Sequence, residues 1–115
     1  IITPTVSGST ARAVSRFRPP CPIVAVTPNP FAQRELVLFW GVFPLLSQRG
    51  ANTDAVIADA VEAAQRAGYV KEGDVLVVTG GSVEGGGGTT NLMKIHLIEC
   101  VLARGLGLQI SAMTD

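Results

Sequence analysis

No run of apolar residues in this sequence approaches the roughly 20 that a helix needs to cross a bilayer, and no basic-then-apolar leader opens it. Histidine occurs once, at His96, and cysteine twice, at Cys21 and Cys100, far apart and without CxxC spacing. That argues against a disulfide framework and against a zinc site, and predicts two free thiols in a cytosolic protein. No serine sits in a nucleophile elbow, and no set of acid, base and nucleophile is present. Charge is scarce as well: nine basic and nine acidic residues cancel, leaving no global field to attract nucleic acid or an anionic membrane.

What is present is apolar. Hydrophobic residues make up 47% of the 115, enough for one domain with its own core and against disorder. Low charge with high apolar content also hints at an extra buried face, in an oligomer or a domain contact. The chain opens on isoleucine inside an apparent strand, without an initiating methionine, and reads as a piece of something longer.

The pattern alternates strand and helix. Ile1–Thr5 is a first strand, and Ser9 to Phe17 a helix with Ala11, Val14 and Phe17 or Arg18 on one face. Pro19, Pro20 and Pro22 end it. The unbroken apolar run Ile23–Thr27 suits a strand covered on both faces. Phe31 to about Phe39 is helical in pattern, with Leu36 and Phe39 or Trp40 near one face, and Gly41 stops it. Pro44 marks Val42–Leu46 as a short or edge strand. Asn52 or Thr53 caps a third helix with a stripe of Val56, Ile57, Ala60, Val61, Ala64 and Ala67, ending before Gly68. Val75–Thr79 is a fourth strand. Asn91–Glu99 is a fifth, reached through a loop without a helix, so it is expected antiparallel and at an edge. The whole is an α/β fold with helices on both sheet faces.

Chemistry concentrates where the first strand gives way to the first helix. Helix N-termini present unpaired amides and partial positive charge. Here Gly8 lets the backbone come close, and Thr5, Ser7, Ser9 and Thr10 ring it with hydroxyls, a socket for a phosphate or similar anion. The loop lacks lysine, so neutral donors and binding are expected rather than catalysis. The glycine loop Gly80–Thr90 is neither a Walker A motif nor a G-x-G-x-x-G turn, because Lys94 falls inside a strand and no helix follows. It reads as a flap. Loops that follow parallel strands gather at the carboxyl edge, which would bring Ser7–Thr10 and Gly85–Thr90 to one cleft; two unrelated surface turns are the alternative. His96 shares a strand face with Lys94, opposite Met93, Ile95 and Leu97, and is read as structural or interfacial. Trp40 is read as packing.

Certain blocks carry more than pattern. IITPTVSGSTARAVSRFRPPCPIVAVTPNP, LFWGVFPLL, KEGDVLVVTGG and GGTTNLMKIH closely resemble, in order over about Ile1–Ile98, the C-terminal domain of bacterial pyruvate kinases. The resemblance implies a three-layer α/β/α sandwich around a five-stranded mixed sheet, order 3-2-1-4-5, with strand five antiparallel. It implies a parent that transfers phosphoryl from phosphoenolpyruvate to ADP in a separate barrel, with Mg and K, in the cytoplasm. This domain alone would need no cofactor and be inactive. Its implied role is to bind a phosphorylated sugar or nucleotide effector through Thr5, Ser7, Gly8, Ser9 and Thr10. Gly85, Gly86, Gly87, Gly88, Thr89 and Thr90 would form the flap. Its implied partners are its own barrel and copies of itself, met through helices and Asn91–Glu99 in a tetramer. Val56 stands where bisphosphate-binding relatives carry arginine, and Ser9 where a residue is sometimes basic. Both favour a monophosphate effector, or none. Residues 1–100 form the domain, and Val101–Asp115 resembles a linker or the stub of a further module. The rival readings are a stand-alone phosphometabolite-binding module and a purely structural assembly domain.

Overall fold

A computed structural model of the chain describes residues 1–48, 52–81 and 90–98. Five strands, β1 (Ile2–Pro4), β2 (Ile23–Thr27), β3 (Val42–Leu46), β4 (Val75–Gly80) and β5 (Leu92–Leu97), form one sheet in the order β3-β2-β1-β4-β5. The β1–β2, β2–β3 and β1–β4 pairs are parallel, and β4–β5 is antiparallel, Val77 opposite Ile95. Order and polarity agree with expectation. Only residues 81–91 join β4 to β5, fewer than the dozen or so that a parallel crossover needs, so β5 returns antiparallel. Pro44 sits on an outer strand, where its missing N–H leaves no gap in the ladder.

Three helices, α1 (Ser9–Arg16), α2 (Pro30–Leu36) and α3 (Thr53–Arg66), cover the sheet. α3 packs Ile57, Ala60, Val61 and Ala64 onto Ile2, Val24, Val26, Leu76 and Val78. On the other face Ala11 of α1 and Leu36 of α2 meet Ile23, Ala25 and Val42. Every residue of β2 is buried, as its unbroken apolar run predicts. Side chains such as Leu36 and Val78, with no exposed surface, each contribute about 1.5–3 kcal/mol.

The caps explain the helix ends. Asn52 accepts from the Ala55 amide at 2.9 Å, Asp54 occupies the first turn of α3, and Gly68 takes φ 86° just past its end. Some details differ from the sequence reading. α1 stops at Arg16, so Phe17 caps it and its ring is 83% exposed rather than packed beside Ala11. α2 stops at Leu36, and Phe39 and Trp40 lie in the turn before Gly41, which adopts φ 69°. On α3, Ala63 is buried while Ala67 is exposed. β5 alternates as expected, with Lys94 and His96 opposite Val78 and Leu76. Among the described residues no helix covers its other face, because α1 and α2 sit over β1, β2 and β3. Met93 and Ile95 on β5, and Val75 on β4, are therefore each more than two-thirds exposed. Glu99, Cys100 and Val101–Asp115 lie outside the described residues.

Candidate functional site

β1 ends at Pro4, and the Thr5 amide extends the parallel ladder by donating to Val26 O at 2.9 Å. The chain then turns sharply: the Gly8 amide donates to Thr5 Oγ1 at 2.9 Å. Thr27 Oγ1 donates to Val6 O at 3.1 Å and accepts from the Asn29 amide at 3.1 Å, fixing the loop to the end of β2. Gly8 is the N-cap of α1 at φ 90°. A Cβ there would also stand 3.1 Å from Leu36 Cδ2 and 3.3 Å from Arg12 Nη1. Glycine is thus required twice, by conformation and by space.

The first i→i−4 bond of α1 runs from the Arg12 amide to Gly8 O at 3.0 Å. The amides of Ser9, Thr10 and Ala11 therefore precede the helical ladder. Among the described residues no side chain caps this end, and no acid occupies its first turn. The other described helices are finished differently: Asn29 accepts from the Phe31 amide at 3.0 Å and Asn52 closes α3. Of the three, α1 is the one whose first turn receives no side-chain cap among the described residues, and it begins at the carboxyl edge of the sheet.

A cation stands nearby that the sequence reading did not include. Arg12 donates from Nη1 to Ser7 O at 3.2 Å, and its guanidinium lies 5.9 Å from the Phe39 ring centroid. The expectation of wholly neutral donors is corrected: a positive charge one turn into a helix opposes the macrodipole but deepens the positive potential at this end. The available signal was spacing, since residue 12 follows the N-cap by four.

Thr10 Oγ1 and Thr90 Oγ1 share a hydrogen bond of 2.8 Å across 80 residues of sequence. The Asn91 amide donates to Gly80 O at 3.0 Å, and a Cβ on Gly80 would lie 2.7 Å from Pro4 O, so β4 and β1 approach closely just below. Thr5, Ser7, Gly8, Ser9, Thr10 and Thr90 are thus gathered at one edge. Gly85, Gly86, Gly87, Gly88 and Thr89 lie outside the described residues. An open groove of about 310 Å³ runs from Thr10 and Thr90 along Ala13 and Val14 to Ile1, Phe17 and Pro19.

Residues 5–10 contain neither a carboxylate nor an imidazole, and among the described residues no three of histidine, cysteine, aspartate and glutamate come together to hold a metal.

The sequence matches the family model described as "Pyruvate kinase, alpha/beta domain" over residues 1–96. It is 47% identical over 108 residues to the pyruvate kinase of Geobacillus stearothermophilus, covering 94% of this chain and 18% of that one. With the pyruvate kinase of Sporosarcina psychrophila it shares 43% over 108 residues, with the same coverage. With that of Clostridium acetobutylicum it shares 46% over 99 residues, 86% of this chain and 21% of the relative. The chain spans about a fifth of the length of these curated relatives and matches their C-terminal part.

Proposed function

The chain belongs to the pyruvate kinase α/β-domain family, and from that premise we propose that it is the effector-binding and assembly domain of a longer parent. The parent's remaining part transfers phosphoryl from phosphoenolpyruvate to ADP in the glycolytic reaction, in the cytoplasm; this domain binds and does not catalyse. One observation carries the reading: the uncapped first turn of α1 meets Thr90 through the Thr10 hydroxyl at 2.8 Å. A phosphate there accepts from the amides of Ser9, Thr10 and Ala11 and from the hydroxyls of Thr10 and Thr90. The single guanidinium of Arg12 beside the loop, with Val56 rather than a basic residue on α3, suits one phosphate better than two.

Binding regulates the parent only if the ligand prefers one quaternary arrangement. Self-association through β5 and the adjoining face of β4 supplies such an arrangement, since Val75, Met93 and Ile95 are apolar and exposed there. Among the described residues no helix is long and apolar enough to cross a membrane.

Calorimetry tests the reading. Inorganic phosphate, ribose 5-phosphate, AMP and fructose 1,6-bisphosphate are titrated into the chain and into Thr10→Val. Saturable heat from a monophosphate, lost in the variant, is expected. Heat from none of the four overturns effector binding and leaves a structural assembly domain.

A further inference from the structure

The outer surface of α1, α2 and the turn after α2 is predominantly positive. Residues 9–40 carry four arginines (Arg12, Arg16, Arg18 and Arg34) against one acid, Glu35, a net +3. α3, on the opposite face, carries Asp54, Asp59 and Glu62 against Arg66, a net −2. A formally neutral chain is therefore polarised across its sheet.

Three of the four arginines are laid on aromatic rings. The Arg18 guanidinium stands 5.3 Å from the Trp40 ring centroid, Arg12 stands 5.9 Å from Phe39, and Arg34 stands 4.9 Å from Phe31. A stacked guanidinium keeps its in-plane N–H donors clear of the ring; Arg12 and Arg34 each place one of them on a backbone carbonyl, Ser7 O at 3.2 Å and Pro30 O at 3.3 Å. Beneath them the platform is fixed: Ser15 Oγ donates to Trp40 O at 2.6 Å, which ties the turn to α1. Arg18 holds φ 48° just past the end of α1, a left-handed conformation where glycine is usual. Phe17, Leu38 and Trp40 are exposed around it. Arginine and aromatics packed together and left open to solvent have the composition of an interface centre.

Two partners were expected for this domain, its own barrel and a second copy, and charge separates them. A two-fold contact sets a patch against itself, so two +3 surfaces would face each other without counter-charge. The face of β4 and β5, with Val75, Met93 and Ile95, has no such repulsion. We propose that the Arg16–Arg18–Trp40 patch docks a carboxylate-bearing surface of the remainder of the parent chain, and not a second copy. This rests on the reading of the chain as one domain of a longer parent. Placement supports it. The matched relatives extend far beyond this domain on its N-terminal side, and Ile1 lines a groove with Phe17 and Pro19, immediately beside Arg18. A surface tethered at that point acts at high effective concentration.

The test uses the full-length protein, wild type and R16E/R18E, followed by scanning calorimetry, light scattering and titration with inorganic phosphate. The wild type is expected to melt with this domain coupled to the rest. The variant is expected to show a separate transition at lower temperature, with unchanged mass. An unchanged single transition overturns the proposal, and so does dissociation into smaller assemblies, which would make the patch a self-interface. R16E alone, on an exposed side chain of the same patch away from the constrained backbone of Arg18, supplies the same readouts if the double reversal impairs folding. Phosphate heat is read separately: its absence from the wild type refutes the effector site, whereas the melting coupling alone decides the docking patch.

Discussion

Replacing Gly8 with alanine perturbs the site at the residue with two separate reasons to be glycine. At φ 90° an L-residue costs about 1–2 kcal/mol, offset by about 0.5 kcal/mol because alanine restricts the unfolded chain. The new Cβ also meets Leu36 at 3.1 Å. Leu36 has no exposed surface and packs against the core beneath α1 and α2, so it has little room to retreat. Overpacking of this kind costs about 1–3 kcal/mol, and the sum is about 2–4 kcal/mol. In a domain of this size that lowers Tm by roughly 10–25 °C. Gly41 provides the control. It too has a positive φ, 69°, but a Cβ there meets nothing within 4 Å, so Gly41→Ala loses only the conformational part, about 1 kcal/mol. Urea titrations of both variants beside the wild type read the difference directly. If Gly8→Ala is no less stable than Gly41→Ala, the packing of the loop onto Leu36 is wrong and the rigid socket with it.

Thr3 is fully buried, and its Oγ1 has no hydrogen-bond partner among the described residues. Thr3→Val removes the stranded hydroxyl at nearly constant shape and should stabilise the domain by about 1 kcal/mol in chemical denaturation. Gly80→Ala places a Cβ 2.7 Å from the Pro4 carbonyl, a backbone atom, and should cost at least about 2 kcal/mol by forcing β4 from β1. The exchange protection of the Asn91 amide, bonded to Gly80 O, should fall with it. Asn52→Ala strips the cap from α3 and should cost about 1 kcal/mol, visible as a lower urea midpoint with unchanged slope.

Much of this architecture is legible from local chemistry. The unbroken run Ile23–Thr27 gives the bounds of β2 because a strand covered on both faces needs no polar alternation. Asn52 and Gly68 bracket α3 because caps and left-handed termini depend on nearest neighbours. The place of Thr5–Thr10 at the carboxyl edge follows from parallel topology. Other features depend on distant packing. The end of α2 was misread because Leu36, Phe39 and Trp40 keep helical spacing even though the chain has already turned toward Gly41. The reach of Arg12 back to Ser7 O depends on the rotamer that Phe39 supports, and Phe39 arrives from beyond another helix. The bare face of β4 and β5 follows from how α1 and α2 divide the sheet, which periodicity within a strand does not record.

The central claim is that the first turn of α1 receives an anion at amides left outside the helical ladder. Amide chemical shifts of the ¹⁵N-labelled chain during titration with inorganic phosphate test it most directly. Saturable shifts at Ser9, Thr10 and Ala11, much larger than at the capped first turn of α3, are the expected result. Shifts that spare these three amides, or that appear equally at α3, would contradict it.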